Sequence, residues 1–183
     1  DYYEELAWKT DVLLYDENND EYWSDLHDAG YGQSQRKSIT RKGSIDEYSF
    51  VASFNFNHKL YLGLSWGVND LYYNETSRLM ENDEKNNIPY FNNLEFNTNL
   101  TTWGIGHNFK FGAIYKPINE VRLGVSIHTP TWYNLHDDFS TRMTSSITYA
   151  DGSDTYDERS PYNEYDYRLQ TPLRTTFSGA FVI

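Results

Sequence analysis

Three side chains that could bind an anionic group recur at alternate positions of one short segment. Arg122, Ser126 and His128 are separated by even numbers of residues, and a β-strand turns every second side chain to the same face. A guanidinium group offers a carboxylate two parallel charge-assisted hydrogen bonds. The three residues are therefore candidates for contact with a carboxylate-bearing ligand. The alternative is an ion pair between Arg122 and a neighbouring carboxylate within the sheet.

The sequence contains no catalytic or metal-binding motif. The patterns Gly-x-Ser-x-Gly and His-Glu-x-x-His and the phosphate-loop glycines are absent. The five histidines lack the spacing of metal ligands, and the absence of cysteine removes thiolate sites. Acidic residues crowd into residues 16–28 and 151–158, which we interpret as solvated loops, with a divalent cation site as the alternative. We predict no catalytic residues, no metal, no cofactor and no enzymatic activity.

The composition combines high polarity with many aromatic side chains. Mean hydropathy is -0.77, yet aromatic residues make up 17% of the chain. These features are typical of an aromatic-rich binding surface, or of a membrane barrel with a polar interior and aromatic girdles. The net charge of -12 argues against a nucleic-acid partner, because few cations could neutralise phosphates. No apolar run is long enough for a membrane-spanning helix. The sequence also shows no signal peptide, so an outer-membrane location requires that it be mature or cut from a longer chain.

Alternation of apolar residues with small or polar ones predicts antiparallel β-strands after residue 33. The faces opposite the apolar side chains consist mostly of Gly, Ser and Ala, as on the inner wall of a barrel. A short helix is predicted over residues 3–15 and a loop over 16–32. The predicted strands cover residues 48–56, 60–73, 94–116, 121–135 and 165–183, with an earlier hairpin arm over 33–41 that turns at 42–44.

Short and long connections alternate along these strands. Residues 57–59 and 117–120 form tight turns, whereas residues 76–93 and 136–163 are long and polar, with a strand pair expected at 139–149 inside the second. Outer-membrane barrels alternate short periplasmic turns with long extracellular loops. We therefore predict one domain over residues 1–183, with extracellular loops near 76–93 and 136–163. Five or six strands are fewer than the roughly eight of the smallest closed membrane barrels, so the chain is expected to be part of a barrel wall.

Two prolines interrupt otherwise strand-like runs. Pro130 and Pro172 lack the amide hydrogen that a strand ladder requires. Each is predicted to mark a bulge, a bend or the end of regular pairing, and both are candidates for kinks in the wall.

The central block of the chain resembles a known family. Residues 104–117 read GIGHNFKFGAIYKP and residues 121–131 read VRLGVSIHTPT, and both strings resemble the FadL/TodX outer-membrane transport family. The likeness is closest to its Bacteroidetes branch, often labelled hemin receptor. Residues 43–48 (GSIDEY), 57–63 (NHKLYLG) and 167–174 (YRLQTPLR) also look like that branch.

The resemblance implies a fold and a role. Members form an up-and-down 14-stranded β-barrel in the outer membrane of Gram-negative bacteria. They pass hydrophobic small molecules, such as long-chain fatty acids or aromatic hydrocarbons, by passive diffusion. The expected partners are such a ligand, outer-membrane lipid and lipopolysaccharide. The family's N-terminal hatch, with its Asn-Pro-Ala element, has no counterpart here, and the closing strands are absent, so an internal fragment is expected.

A secreted aromatic-rich β-sandwich that binds glycans is the main alternative, and an outer-membrane enzyme is a third. The distribution of aromatic side chains separates the first two. A glycan-binding module would cluster several on one loop face. A barrel would place seven of them near strand ends, in two belts: Trp66, Tyr72, Tyr73, Trp103, Tyr115, Trp132 and Tyr133.

Overall fold

The computed structural model describes residues 2–182 and is almost entirely β-structure, with antiparallel strands and a short N-terminal helix. This confirms the all-β class and the helix predicted from the sequence. The elements are α1 (Tyr2–Lys9), β1 (Leu14–Asp16), β2 (Glu21–Trp23), α2 (Asp25–Asp28), β3 (Ser34–Phe56), β4 (Leu60–Asn82), β5 (Phe91–Ile118), β6 (Val121–His128), β7 (Trp132–Tyr149), β8 (Gly152–Arg159), β9 (Asn163–Gln170) and β10 (Arg174–Phe181). Neither helix among the described residues is long and apolar enough to cross a membrane.

One large sheet contains every strand except the small β1–β2 pair. Its main path runs in the order β10-β6-β5-β4-β3, and β7 pairs with β5, β8 and β9. Both β6 and β7 therefore use β5 as a neighbour, so they continue one another along its length. Within residues 2–182 the path begins at β10 and ends at β3, so the described sheet is open.

Helix α1 is shorter than predicted. It ends at Lys9 instead of reaching residue 15. The Leu6 carbonyl accepts hydrogen bonds from both the Thr10 amide, at 3.0 Å, and the Thr10 hydroxyl, at 2.8 Å. Asp11 then takes φ 55°, a left-handed conformation that stops helical propagation.

The turn predicted at residues 42–44 is wrong, because β3 runs through it without interruption. Gly43 is needed there for a close approach between strands. A Cβ atom at this position would lie 2.9 Å from the Tyr72 carbonyl oxygen and 3.3 Å from the Tyr73 ring. The glycine that suggested a turn is instead required by the close contact between neighbouring strands. The predicted loop over 16–32 likewise contains the β1–β2 hairpin and α2.

The long polar connections also differ from the prediction. Residues 76–82 belong to β4 and residues 91–93 to β5, so only 83–90 connect them. Most of residues 136–163 forms β7 and β8, which pair from Arg142 opposite Arg159 to Tyr149 opposite Gly152. Polar side chains hold these extensions together across strands, as in the 3.1 Å bond from the Thr76 hydroxyl to the Asn99 side-chain oxygen.

The chain divides into two compact units. Unit 1 consists of residues 1–42, 74–101 and 138–164, and unit 2 of residues 43–73, 102–137 and 165–183. Of the chain's 27 acidic and 15 basic residues, 21 and nine fall in unit 1, which therefore carries the whole net charge of -12. Unit 2 contains six of each and is formally neutral.

Unit 1 has a hydrophobic core that α1 helps to form. Leu6 and Met143 are almost inaccessible to solvent, at 1% and 0% exposure. The ring of Tyr3 meets that of Phe96 edge to face at 4.9 Å, a favourable geometry for two aromatic groups. The buried core comprises Leu6, Ala7, Val12, Leu26, Ile88, Phe91, Leu94, Met143 and Ile147.

A tyrosine anchors the end of α1 to β7, and its removal is expected to weaken unit 1. The Tyr149 hydroxyl donates a 2.8 Å hydrogen bond to the Asp11 carboxylate. Tyr149→Phe should lower the free energy of unfolding by about 1 kcal/mol at neutral pH, the usual net worth of such a bond. Denaturant unfolding of the wild type and the variant measures the difference.

The same bond predicts how this difference depends on pH. Burial, followed by the bond to Asp11, raises the pKa of Tyr149 above its usual range. The contribution of Tyr149 is therefore complete below about pH 10, the pKa of an unfolded tyrosine, and is lost as the pH rises above it. The difference in free energy of unfolding between the wild type and Tyr149→Phe should therefore become smaller in alkaline solution. A gap that widens there would contradict the assignment.

Unit 2 buries few apolar side chains. Among the described hydrophobic residues that are buried, only Tyr133 and Leu135 lie in it. Many of its other large apolar side chains are exposed, including Phe177 at 80% and Phe54 at 55%. Soluble monomers rarely expose contiguous apolar surface of this kind.

Candidate ligand-binding face

The register of β6 with its neighbours assigns each side chain of unit 2 to one of two faces. Val125 lies opposite Ala113 on β5 and Phe177 on β10, whereas Ser126 lies opposite Gly112 and Thr176. Because successive residues alternate, the first set shares one face and the second set the other. We call them the apolar face and the small-residue face.

The three predicted contact residues all lie on the small-residue face. Arg122 pairs with Ala180, Ser126 with Thr176, and His128 with Arg174, across the β6–β10 ladder. On the other side of β6, His128 lies opposite Lys110 of β5. The structure therefore brings Arg174 and Lys110 beside the predicted set, and neither of these was predicted.

A depression of about 430 Å³ lies beside these residues. Gly112 and Gly124 lie at its floor, and the side chains of Ser126, Thr176 and Ser178 contribute to its lining. Nothing approaches within 4 Å of the position that a Cβ atom would take at Gly112, so the space above this glycine is open.

An ion pair lies on the same face. The Lys110 ammonium group donates to the Glu47 carboxylate, which also accepts a 2.9 Å hydrogen bond from the Ser49 hydroxyl. Both charged side chains are about one third exposed. The sequence did not single them out, since residues 47 and 110 are far apart in the chain and meet only through the packing of the sheet.

Next to this pair, long side chains lie flat over glycines. A Cβ atom at Gly67 would lie 2.7 Å from the Asn108 side-chain oxygen and 2.9 Å from a Glu47 carboxylate oxygen. At Gly106 it would lie 2.5 Å from the Tyr133 ring. Asn108 and Tyr133 are only 5% and 7% exposed because they occupy this space. An aromatic ring that covers a strand glycine in this way compensates for the missing side chain.

The apolar face carries the exposed hydrophobic side chains. A groove of about 380 Å³ on it is lined by Phe54, Leu64, Phe111 and Ile127, among others. Aromatic rings stack at one level of it, with Phe50 5.4 Å from Trp66 and Trp66 6.2 Å from His107. His107 lies within β5.

The aromatic side chains that were expected in two belts are divided between the two faces. Trp66, Trp103 and Tyr115 are exposed, at 42%, 38% and 50%, and lie on the apolar face. Tyr133, in contrast, is buried over Gly106 on the small-residue face, and Tyr73 packs near Gly43. Alternation alone excludes these two tyrosines from the apolar face, because each is an odd number of residues from an exposed tryptophan or tyrosine in its own strand.

The structure places the two prolines in neighbouring gaps between strands. Pro130 lies between β6 and β7, and Pro172 between β9 and β10. Thr131 and Thr171 join the gaps, because the Thr171 amide donates to the Thr131 carbonyl at 3.1 Å. The Thr131 amide in turn donates to the Thr171 hydroxyl at 2.8 Å. Side-chain hydroxyls thus replace ladder bonds where each proline removes a donor.

The acidic segments of unit 1 satisfy much of their charge locally. The Arg142 guanidinium group forms an ion pair with Asp157 across the β7–β8 hairpin and lowers the pKa of that carboxyl group. Hydrogen bonds, first from the Asn18 amide and then from the Asn19 side chain, lower the pKa of Asp16. These carboxylates have structural roles in the hairpins that carry them.

No protein-family model matches the chain, and no curated protein matches it either.

Proposed function

We propose that the chain is part of an outer-membrane β-barrel that passes hydrophobic small molecules, such as long-chain fatty acids or aromatic hydrocarbons, by passive diffusion. The observation that carries the proposal is the contrast between the two faces of unit 2. One face exposes Phe, Leu, Ile and Trp, and the other is lined by Gly, Ser, Thr and scattered charges. A barrel wall needs this arrangement, with apolar groups toward lipid and polar groups toward the interior.

The height of the apolar face fits a membrane. Along β5, Trp103 and Tyr115 bound the apolar side chains and are twelve residues apart. At about 3.4 Å per residue this is roughly 41 Å along the strand. A strand tilted by about 40°, as in outer-membrane barrels, would rise roughly 31 Å over that length. The hydrocarbon core of a bilayer is about 30 Å thick.

The aromatic pattern favours this proposal over a glycan-binding sandwich. The exposed aromatic side chains of unit 2 are spread over β3, β4, β5, β7, β9 and β10, and the interior of its apolar face is aliphatic and phenylalanine-rich. A glycan site would instead present a few aromatic rings among hydrogen-bonding groups. Unit 1, with its net charge of -12, would remain in water.

Membrane fractionation tests this proposal directly. The protein, expressed with its native flanking sequence, should be recovered in the outer membrane. It should also migrate differently on gels before and after heating, because a folded barrel resists detergent. Recovery as a periplasmic monomer without heat-dependent migration would reject the proposal and favour the secreted sandwich.

The small-residue face supports a preference for carboxylate-bearing solutes. Arg122, His128, Arg174 and Lys110 share this face, and Glu47 neutralises only one of them. In a barrel interior, a guanidinium group can guide an anionic head group while the chain of the solute follows. The resemblance to the FadL/TodX family supplies the same class of solute.

Arg122→Gln should reduce the uptake of a fatty acid about tenfold, as expected for the loss of about 1.4 kcal/mol of charge-assisted binding. The uptake of an uncharged aromatic hydrocarbon should stay within about twofold of the wild type, because it makes no such contact. Uptake into cells that carry the variant, with both solutes radiolabelled, measures the difference. Equal losses for the two solutes would mean that Arg122 acts on the structure and not on the ligand.

A further inference from the structure

We propose that Gly106 and Tyr133 set the maximum width of the solutes that pass, an inference that rests on the proposed transport function. The Tyr133 ring lies flat against the sheet because Gly106 has no side chain beneath it. With any Cβ atom at residue 106, two ring carbons would be 2.5 and 2.6 Å away, much closer than packed carbon atoms allow. The ring would have to swing away from the sheet into the space that the small-residue face borders.

Thr131 crowds the same position from another side. The Cβ position at residue 106 is also 2.9 Å from the Thr131 side-chain methyl group. Thr131 is itself held by two backbone contacts to Thr171 and accepts a 3.3 Å hydrogen bond from Asn108. These contacts hold Thr131 in place, so a Cβ atom at residue 106 would be accommodated by movement of the Tyr133 ring away from the sheet.

The next glycine along this face repeats the arrangement with polar groups. Over Gly67, the side chains of Glu47 and Asn108 converge from the two neighbouring strands. Asn108 is 95% buried, and its side-chain oxygen has no hydrogen-bond donor. Leaving a buried acceptor unpaired costs free energy. In this structure the unpaired oxygen belongs to a side chain that lies flat against the sheet. Two adjacent glycines thus keep three long side chains out of the interior.

The chain provides a matched control at Gly112. No atom lies within 4 Å of its Cβ position, so Gly112→Ala adds one methyl group to the same face without displacing a neighbour. Gly106→Ala adds the same methyl group but must also displace a ring. Any difference between the two variants therefore reports the movement of Tyr133.

The test uses the full-length protein in phospholipid vesicles and two carboxylates of similar hydrophobicity, one a straight-chain fatty acid and the other a bulky polycyclic acid. Gly106→Ala should lower the ratio of bulky to straight-chain permeation about tenfold, the discrimination that one methyl-sized change in a pocket can give. Gly112→Ala, which displaces no neighbouring side chain, should lower the ratio far less than Gly106→Ala. Adding Tyr133→Ala to Gly106→Ala should restore the ratio, and Tyr133→Ala alone should raise it.

The outcomes separate the two levels of the proposal. Wild-type permeation of neither acid above protein-free vesicles would reject the transport function and the width filter with it. Permeation of both, with the same ratio in the wild type, Gly106→Ala and Tyr133→Ala, would reject the width filter alone. If Gly106→Ala fails to give the heat-modifiable form, Tyr133→Ala decides, since an unchanged ratio in that variant overturns the proposal.

Discussion

Ile127→Arg is expected to destabilise the assembled protein by about 2–3 kcal/mol, the cost of a cation on the lipid side of a barrel short of its midplane. Ile127 is 40% exposed on the apolar face and pairs with Phe111. Phe111 is eight residues from Trp103 and four from Tyr115, inside the apolar band. A guanidinium group at residue 127 would have to be transferred from water into hydrocarbon, which is unfavourable. Urea unfolding of the protein in vesicles measures the loss.

The adjacent residue supplies the control. Ser126 has its side chain on the opposite face, between Gly112 and Thr176, where there is room for a longer group. Ser126→Arg should therefore change stability by less than about 1 kcal/mol, as surface substitutions usually do. Equal losses at residues 126 and 127 would mean that lipid contacts neither face, and the membrane proposal would fail.

Leu6→Ala is expected to destabilise unit 1 by about 2–5 kcal/mol, the usual cost of truncating a fully buried leucine. Leu6 is 1% exposed and belongs to the core that α1 shares with β5 and β7. Three deleted carbon atoms would leave a cavity beneath the helix. Amide hydrogen exchange in α1 and in residues 88–94 measures the loss as a higher rate of local opening.

Trp8 provides a control on the same helix. Its side chain is 53% exposed, although it is larger than that of Leu6. Trp8→Ala should therefore change exchange in unit 1 far less than Leu6→Ala. If both variants exchange equally fast, α1 does not pack as described, and the anchoring role of Tyr149 would lose its basis as well.

The β-strands of unit 2 could be predicted because alternation is a local property. Each run of apolar and small residues has a period of two, so the sequence itself distinguishes the two faces. The shared face of Arg122, Ser126 and His128 followed from the same rule. The contribution of Arg174 and Lys110 could not be predicted, because it depends on which residues of other strands lie opposite.

Unit 1 was harder to predict because tertiary packing overrides local signals there. Residues 76–82 are polar enough to resemble a loop, yet they form part of β4. Cross-strand pairs such as Arg78 with Glu95, and a core that includes Leu94, stabilise this extension. The turn at Gly43 was predicted wrongly for the same reason. A glycine can mark a turn or a close contact between strands, and the two can be distinguished only when the neighbouring strand is known.

The partition of charge means that salt acts on the two units differently. All of the net charge belongs to unit 1, so the excess of mobile cations that it attracts surrounds that part of the chain. At physiological ionic strength, charges separated by more than about 8 Å are largely screened from one another. Added salt therefore relieves the mutual repulsion of the carboxylates in unit 1. Unit 2, with equal numbers of both signs, has no net repulsion to relieve, so ionic strength distinguishes two parts of a chain that share five of their strands.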